Sequence, residues 1–395
     1  MLRKARRPFW ILIVGPDGSG KSFASNELVD SLNRKEIVVI HKHFQIWKSL
    51  SGKLINYPHD RKMRTSFIAF LAITYRFMRY FLCLLKIKFS DVEVIVQERG
   101  WLDQLIDPKR YRIPHRALIF IEKFQKLLFK PNLIVLCNAK PEQIYERKNE
   151  LSLDEIRRQI QDWRQYINFE IDTSSKDIKY QIDSILEIYA NYTFSGLRKI
   201  ILTPKRMNLY SNVFSSKQYK LVYFPRRKWA KILQRLSFLR TYSNDLPLSE
   251  KLSRLVPYLV QTDLFRTNIC VLQSNRKEQW VICLASRNHS PSCYLRIAEC
   301  SSVSNEEMVL RKLKNIEFDL IVTPAVIDLV HLSEQYCSLI TKPLKRIAEI
   351  KRKDLNLANL ELLSKEIVHP DLKYWNAFKT SENKIAIIDW NSSTN

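Results

Sequence analysis

The sequence predicts a two-domain chain: a three-layer α/β domain built on a parallel sheet, followed by an α+β domain. Three observations carry that prediction. Apolar strands alternate with helical patterns through the first 192 residues, as a doubly wound parallel sheet requires. At 395 residues the chain exceeds what one ordinary core supports. All six glycines, Gly15, Gly18, Gly20, Gly52, Gly100 and Gly196, lie in the first half. The second half therefore lacks the residue best suited to close backbone approach to a phosphate. The expected limits are 1–195 for the first domain, 196–215 for a linker and 216–395 for the second domain.

The elements follow in order. "FWILIV" (9–14) is a continuous apolar run, the pattern of a strand buried on both faces. A Gly-rich turn leads into the helix "KSFASNELVDSLNR" (21–34), and "EIVVI" (36–40) gives a second strand. A polar loop runs to about Pro58, and a long helix covers roughly 62–87. "VEVIVQ" (92–97) and "NLIVLCNA" (132–139) are the third and fourth strands, with a helix over 116–129 between them. Charged residues interleave at helical spacing over 152–169, where Ser152 and Glu155 make a capping box. A closing helix spans 178–192. Beyond 269, "ICVLQ", "QWVICLA" and "CYLRIA" are short strands. A helix over 305–315, a strand at "DLIVTPAVI" and helices through 364 complete the expectation.

Bulk properties narrow the function classes. A formal net charge of +25 favours anionic partners: nucleotides, nucleic acid, acidic glycans or an anionic membrane face. Seven scattered cysteines form no C-x-x-C pair, which argues against a zinc ribbon or a thioredoxin-type site. Reduced thiols in a cytoplasmic setting are the simplest expectation. The start reads as a basic leader running into the first strand, not as a secretory signal. The apolar run 66–85 carries Arg76 and Arg79, which argues for a buried or amphipathic helix rather than a membrane span. "FPRRKW" (224–229) mixes cations and aromatics, but no nucleic-acid fold signature accompanies it.

The first chemical motif is "GPDGSGKS", which fills every position of G-x-x-x-x-G-K-[ST] with Gly15, Gly20, Lys21 and Ser22. It follows a strand and opens a helix, the context in which backbone N–H groups converge on phosphate oxygens. This reading makes Gly15, Asp17, Gly18, Ser19, Gly20, Lys21 and Ser22 a nucleotide-binding loop, with ATP and Mg2+ as its cofactors. Lys21 reaches the terminal phosphates and Ser22 holds the metal. Downstream, "ERGW" ends a strand. There Glu98 can bind the metal or its water, and Arg99 can neutralise a transferred or accepted phosphate.

Residues 9–192 resemble the thymidylate kinase family, in particular the divergent members that accompany bacterial surface-polysaccharide genes. The resemblance rests on "GPDGSGKS", "ERGWLDQLIDPKRYR", "NAKPEQIYERKNELS" and "IDTSSKDIKYQI", in that order. It implies that Asp17 approaches the acceptor's sugar and that Arg147 and Lys148 approach ATP phosphates. The departure is Glu98, where the family has Asp. No pattern between residues 41 and 65 assigns a thymine pocket.

A second constellation, "IVHPDLKYWNAFKTSENKIAIIDW" (367–390), has the spacing of a protein-kinase-type site: Asp371 as the catalytic residue, with Asn376 and Asp389 as metal ligands and His369 bracing the loop. Residues from about 215 to 395 resemble the aminoglycoside phosphotransferase/choline kinase group, with Glu306 where the helix Glu belongs. The departures are Arg296 at the Lys position, Pro370 for Gly, Asn391 for Glu, the missing Gly-rich loop, and a chain that stops soon after Trp390. They predict a degenerate domain lacking its C-terminal helices.

The combined expectation is an ATP- and Mg2+-dependent kinase that acts through the first site on a phosphorylated small-molecule acceptor. A connection to surface glycans and peripheral contact with an anionic membrane or glycan machinery are implied, and nucleic acid is not. The alternatives are a nucleotide-binding regulatory or scaffold module, and a sugar or small-molecule kinase that uses the second domain.

Overall fold

The computed structural model describes residues 8–43, 65–88, 92–128, 130–175, 177–195, 197–201, 219–225, 241–242, 249–266, 268–274, 280–285, 291–344, 346–349, 356, 358, 361–362, 365, 377–380 and 384–387. The chain divides into two compact units, Met1–Leu186 and Glu187–Asn395.

The first unit is organised by five strands: β1 (Phe9–Val14), β2 (Val39–His43), β3 (Val94–Glu98), β4 (Leu133–Asn138) and β5 (Phe169–Asp172). They form one parallel sheet in the order β2-β3-β1-β4-β5. Every residue of the central β1 is buried, which explains why its sequence shows no polar alternation. Its helices are α1 (Lys21–Arg34), α2 (Ser66–Lys88), α3 (Asp103–Ile106), α4 (Pro108–Tyr111), α5 (Leu118–Leu127), α6 (Pro141–Arg147) and α7 (Leu153–Arg164), and α8 (Ile178–Ser195) runs through the limit between the units.

Successive residues of β1 serve opposite faces. Trp10 packs with Ile73 and Tyr80 of α2 and Ile121 of α5. Leu12 and Val14 pack with Ile144 of α6 and Ile156, Ile160 and Trp163 of α7. The alternate residues Phe9, Ile11 and Ile13 point to the other face, and α1 packs against β1 and β3. Helices on both faces of the sheet hold β1 rigidly, so the turn that leaves its C-terminal end is held rigidly too.

Several expectations shift. The second strand begins at Val39, not Glu36, because Glu36 takes the left-handed conformation (φ 57°) and Ile37 N–H bonds back to Leu32 O, closing α1. The expected helix over 152–169 ends at Arg164, and β5 follows it. Only Ile171 of β5 is buried, too little for a strand pattern to show in the sequence. Helix α2 buries Ala69, Ile73, Arg76 and Tyr80 but leaves Phe67, Leu71, Tyr75, Met78 and Leu82 exposed, so it is apolar on two faces. No helix among the described residues is long and apolar enough to cross a membrane.

The second unit contains β6 (Leu197–Ile201), β7 (Tyr219–Pro225), β8 (Thr241–Tyr242), α9 (Ser249–Gln261), β9 (Asn268–Ser274), β10 (Trp280–Ala285), β11 (Pro291–Glu299), α10 (Cys300–Leu313), β12 (Ile321–Val322), β13 (Val326–His331), β14 (Tyr336–Thr341), β15 (Arg346–Glu349), β16 (Ala377–Thr380) and β17 (Ile385–Ile387). An antiparallel sheet runs β13-β14-β11-β10-β9-β7-β6-β8, and a smaller sheet runs β12-β17-β16-β15. Val303, Leu310 and Leu313 of α10 pack with Ala298, Cys337 and Leu339.

Here "DLIVTPAVI" makes two strands rather than one, split around Pro324, which has no N–H to donate to a ladder. Residues 336–341, expected within a helical region, form the buried strand β14, and β15 follows it. Cys300 and Cys337 are joined by a disulfide, Cα atoms 4.7 Å apart. Scattered cysteine spacing gave no sign of this pairing, because strand register, not sequence proximity, brings the two together.

Trp163 tests the packing beneath β1. It is 1% exposed and sits among Leu12, Val14 and Leu136. Trp163→Ala is expected to destabilise the first unit by about 3–5 kcal/mol. Urea denaturation followed by a probe in that unit measures it, and a loss below about 1 kcal/mol contradicts the packing described.

Candidate functional site

The site begins where β1 ends. Gly15 has φ +142°, and a Cβ there would lie 2.6 Å from Cys137 O and 2.7 Å from Ser19 Oγ. Gly20 caps α1 at φ +82°, where a Cβ would meet Thr173 Cβ at 2.9 Å. Both positions require glycine for space as well as conformation. Thr173, just past β5, donates its hydroxyl to Ser19 O at 2.7 Å and to Asn138 O at 3.0 Å, tying the loop to two strand ends. The result is a glycine turn pinned at the N-terminus of a 14-residue helix with no side-chain cap. Unpaired N–H groups and the helix dipole both favour an anion there.

Lys21 is buried and folds back over its own loop, donating to Gly15 O at 2.8 Å and Pro16 O at 2.6 Å. Burial pulls its ammonium below the usual lysine range; Asp17 opposes that shift and Arg99 adds to it.

Asp17 is the hub of the site. Arg99 and Arg110 each donate a charge-assisted hydrogen bond to its carboxylate. Lys148 lies at 3.4 Å and Lys21 at 3.5 Å. Burial alone pushes the Asp17 carboxyl up, but the charges of Lys21, Arg99 and Arg110 outweigh it and hold the group far below the usual carboxylate range. Burial works against the Arg99 charge as well, and Asp17 overcomes it. Arg99 itself has φ +60°, at the tip of β3, and its N–H bonds to Ile13 O at 3.1 Å. Beneath these groups, Asp103 accepts from Gly100 N–H at 2.5 Å, and burial raises its carboxyl above the ordinary value. Among the described residues, the buried Arg99 Nε and Ser19 Oγ have no hydrogen-bond partner in the protein.

A second cluster adjoins the first. Glu98, 3% exposed, accepts from Ser22 Oγ at 2.8 Å and Ser25 Oγ at 2.6 Å, and His41 Nε2 lies 3.0 Å away. A serine hydroxyl and a carboxylate are hard oxygen donors that suit Mg2+, which keeps several waters and takes few protein ligands. These residues fit that ion.

The structure therefore brings together Gly15, Asp17, Gly18, Ser19, Gly20, Lys21, Ser22, Glu98, Arg99 and Lys148. Arg147 ends α6 with its side chain exposed and does not join the Asp17 cluster. Asp371, Asn376 and Asp389 lie outside the described residues. Sequence reading passed over Arg110, Ser25, His41 and Thr173 as site residues. Ser25 had a signal, one helical turn beyond Ser22. Arg110 lay in the quoted "DPKRYR", with no sign that α4 would aim it at Asp17. Thr173 and His41 arrive through strand pairing, which no local pattern reveals. An open cavity of about 720 Å³ also lies at the ends of β4 and β5, lined by Asn138, Lys140, Arg157, Arg164, Asp172 and Ser174.

No protein-family model matches the chain, and no curated protein matches it. Among solved structures, the chain is similar to the thymidylate kinase of Ehrlichia chaffeensis: 14% identity, 46% of this chain, 98% of that chain, TM-score 0.32. A likeness at that score carries no functional weight, and the site's own geometry has to.

The ionisation of Asp17 can be tested by pH. Its carboxyl is depressed in the folded state, so the stability it contributes is present above the unfolded value of about 3.9 and is lost as pH falls from there toward the folded value. Asp17→Asn is expected to destabilise the protein at neutral pH, with the gap to the unmodified protein constant from pH 6 to 8 by about 0.3 kcal/mol or better and narrowing below pH ~4. Denaturation across a pH series checks this; a gap that widens toward acid contradicts the assignment.

Proposed function

We propose that the first unit is an ATP- and Mg2+-dependent phosphotransferase of the nucleoside-monophosphate-kinase type. The observation that carries this reading is the charge balance at Asp17: four cations, Lys21, Arg99, Arg110 and Lys148, surround one carboxylate beside a phosphate-binding turn. Lys148 also pairs with Glu150 and the buried Asp103 lies beneath Arg99, but the cations still outnumber the carboxylates, and their convergence beside the turn suits two sets of phosphate groups facing each other. On this reading, Lys21 and the loop N–H groups hold the donor phosphates, and Ser22 and Glu98 supply oxygen ligands to Mg2+. Arg99 and Arg110 hold a phosphorylated acceptor, and Asp17 fixes both arginines in position. Bound Mg2+ would supply charge neutralisation across the phosphates. The protein contributes alignment and preorganised charge rather than covalent chemistry. The link to surface polysaccharides rests on the "DPKRYR" resemblance alone.

For residues 216–395 we propose a protein-kinase-like domain that carries little of the turnover. Two features support it. The neighbours β9-β10-β11-β14-β13, with α10 following β11 in the chain, have the strand order expected of a kinase-like small lobe. Within it, Arg296 of β11 pairs with Glu306 of α10, where kinases pair Lys with Glu. A competing reading, nucleotide binding without acceptor phosphorylation, is separated by one assay: ADP release with and without a panel of nucleoside monophosphates and phosphorylated sugars.

In that assay Lys21→Ala is expected to reduce transfer at least about 100-fold while the protein stays folded. Asp371→Ala is expected to change it less than about threefold, roughly 0.7 kcal/mol of barrier. Activity that survives the first change and is lost with the second reverses the assignment of the two sites.

Arg99 and Arg110 separate donor from acceptor. Arg110→Ala and Arg99→Ala are each expected to raise the acceptor KM about tenfold or more while shifting ATP affinity less than about threefold, as loss of a charge-assisted contact implies. Fluorescent ATP-analogue titration beside acceptor kinetics reads both. Loss of analogue affinity with the acceptor KM intact refutes the acceptor role.

A further inference from the structure

We propose that Cys300, Cys337 and His331 form a thiol–disulfide exchange site, whose substrate is a dithiol reductant and whose state sets how firmly α10 is seated. The inference is independent of the phosphotransferase reading.

Three elements converge to build it. Cys300 is the first residue of α10, directly after β11, and its N–H bonds to Gln335 O at 2.9 Å. Cys337 lies in β14, flanked in register by Ala298 of β11 on one side and His331 of β13 on the other. His331 Nδ1 lies 3.1 Å from the Cys337 sulfur and 3.9 Å from that of Cys300. The two cysteines are bonded. Their surroundings are unequal: Cys337 is fully buried, Cys300 is partly exposed, and His331 is exposed.

That asymmetry gives the exchange a direction. An incoming thiolate has access to the Cys300 sulfur and not to Cys337. Attack forms a reductant–Cys300 disulfide and breaks the Cys300–Cys337 bond, leaving the electron pair on the Cys337 sulfur. His331 Nδ1, 3.1 Å from that sulfur, is within reach to deliver a proton to it, which speeds departure of a poor leaving group in an apolar site. The reductant's second thiolate then attacks its own mixed disulfide, closing a reductant disulfide and releasing the Cys300 thiolate at the N-terminus of α10, where the helix dipole favours negative charge. One disulfide is reduced, one dithiol is oxidised, and two electrons pass.

The consequence reaches α10. The bond spans 37 positions and encloses α10, β12 and β13. It anchors the first turn of the helix that carries Glu306, the partner of Arg296. Reduction releases that anchor and leaves α10 held by its apolar face, the Arg296–Glu306 pair and the backbone bond at its first residue.

The test uses the full chain. Cysteines are alkylated under denaturing quench after equilibration with reduced or oxidised dithiothreitol and mapped by mass, and amide exchange over 300–313 is recorded in both states. Labelling of Cys300 and Cys337 is expected to rise and fall together and reversibly while the protein stays folded. Exchange over 300–313 is expected to increase on reduction, and Cys300→Ser is expected to show that increase constitutively. His331→Ala should slow reduction by about threefold or more without changing the exchange in the oxidised state. Three outcomes overturn the proposal: both cysteines remain alkylated in oxidant, the bond resists reduction until the chain unfolds, or the reduced protein retains one zinc ion per chain on these ligands. An unchanged reduction rate in His331→Ala overturns the role given to the histidine.

Discussion

The first unit depends on burying one carboxylate among cations. Asp17 is 7% exposed, and its ionised form would be untenable there without Lys21, Arg99, Arg110 and Lys148 around it. Those partners come from the turn after β1, the tip of β3, the short helix α4 and the residue after α6. One interaction thus ties together four segments spread over more than a hundred residues of sequence. The parallel sheet serves this arrangement by delivering the ends of β1, β3, β4 and β5 to one edge. Like charges brought this close repel each other, so the cluster stores a demand for negative charge that phosphate groups can meet.

Much of that architecture was legible in local sequence. The run "FWILIV", the turn "GPDGSGKS" and the helix behind it need no tertiary information, because burial on both faces, glycine spacing and helical periodicity all act within a few residues. Ser22, Glu98 and Arg99 were readable as strand-end and helix-start residues. What the sequence hid was assembled at a distance. Arg110 reaches Asp17 through the fold of α4, Thr173 closes on Ser19 across β5, and His41 meets Glu98 because β2 pairs with β3. The strand β5, with a single buried residue, is stabilised by its neighbour β4 rather than by its own pattern.

In the second unit the balance differs. Short apolar runs identified β9, β10 and β11, but β14, expected within a helical region, is instead a buried strand held between β11 and β13. Positions for Arg296 and Glu306 were implied by the resemblance of this strand-to-helix passage to the aminoglycoside phosphotransferase/choline kinase group, and in the structure the two side chains pair. The Cys300–Cys337 bond was not readable, since two cysteines far apart in a cysteine-poor chain carry no periodic signal. The two units therefore differ in what organises them: a glycine turn and a buried charge in the first, strand register and a covalent link in the second.

The central claim is that the Asp17 cluster joins two phosphate-binding subsites, one for a donor and one for an acceptor. Calorimetric titration with ATP, and separately with two nucleosides joined by a five-phosphate chain, tests that claim most directly. A ligand that spans both subsites gains the second contact at high effective concentration, so the account predicts that it binds at least about 100-fold more tightly than ATP. Binding of the joined ligand no tighter than ATP would contradict the account, leaving a single donor site with no acceptor beside it.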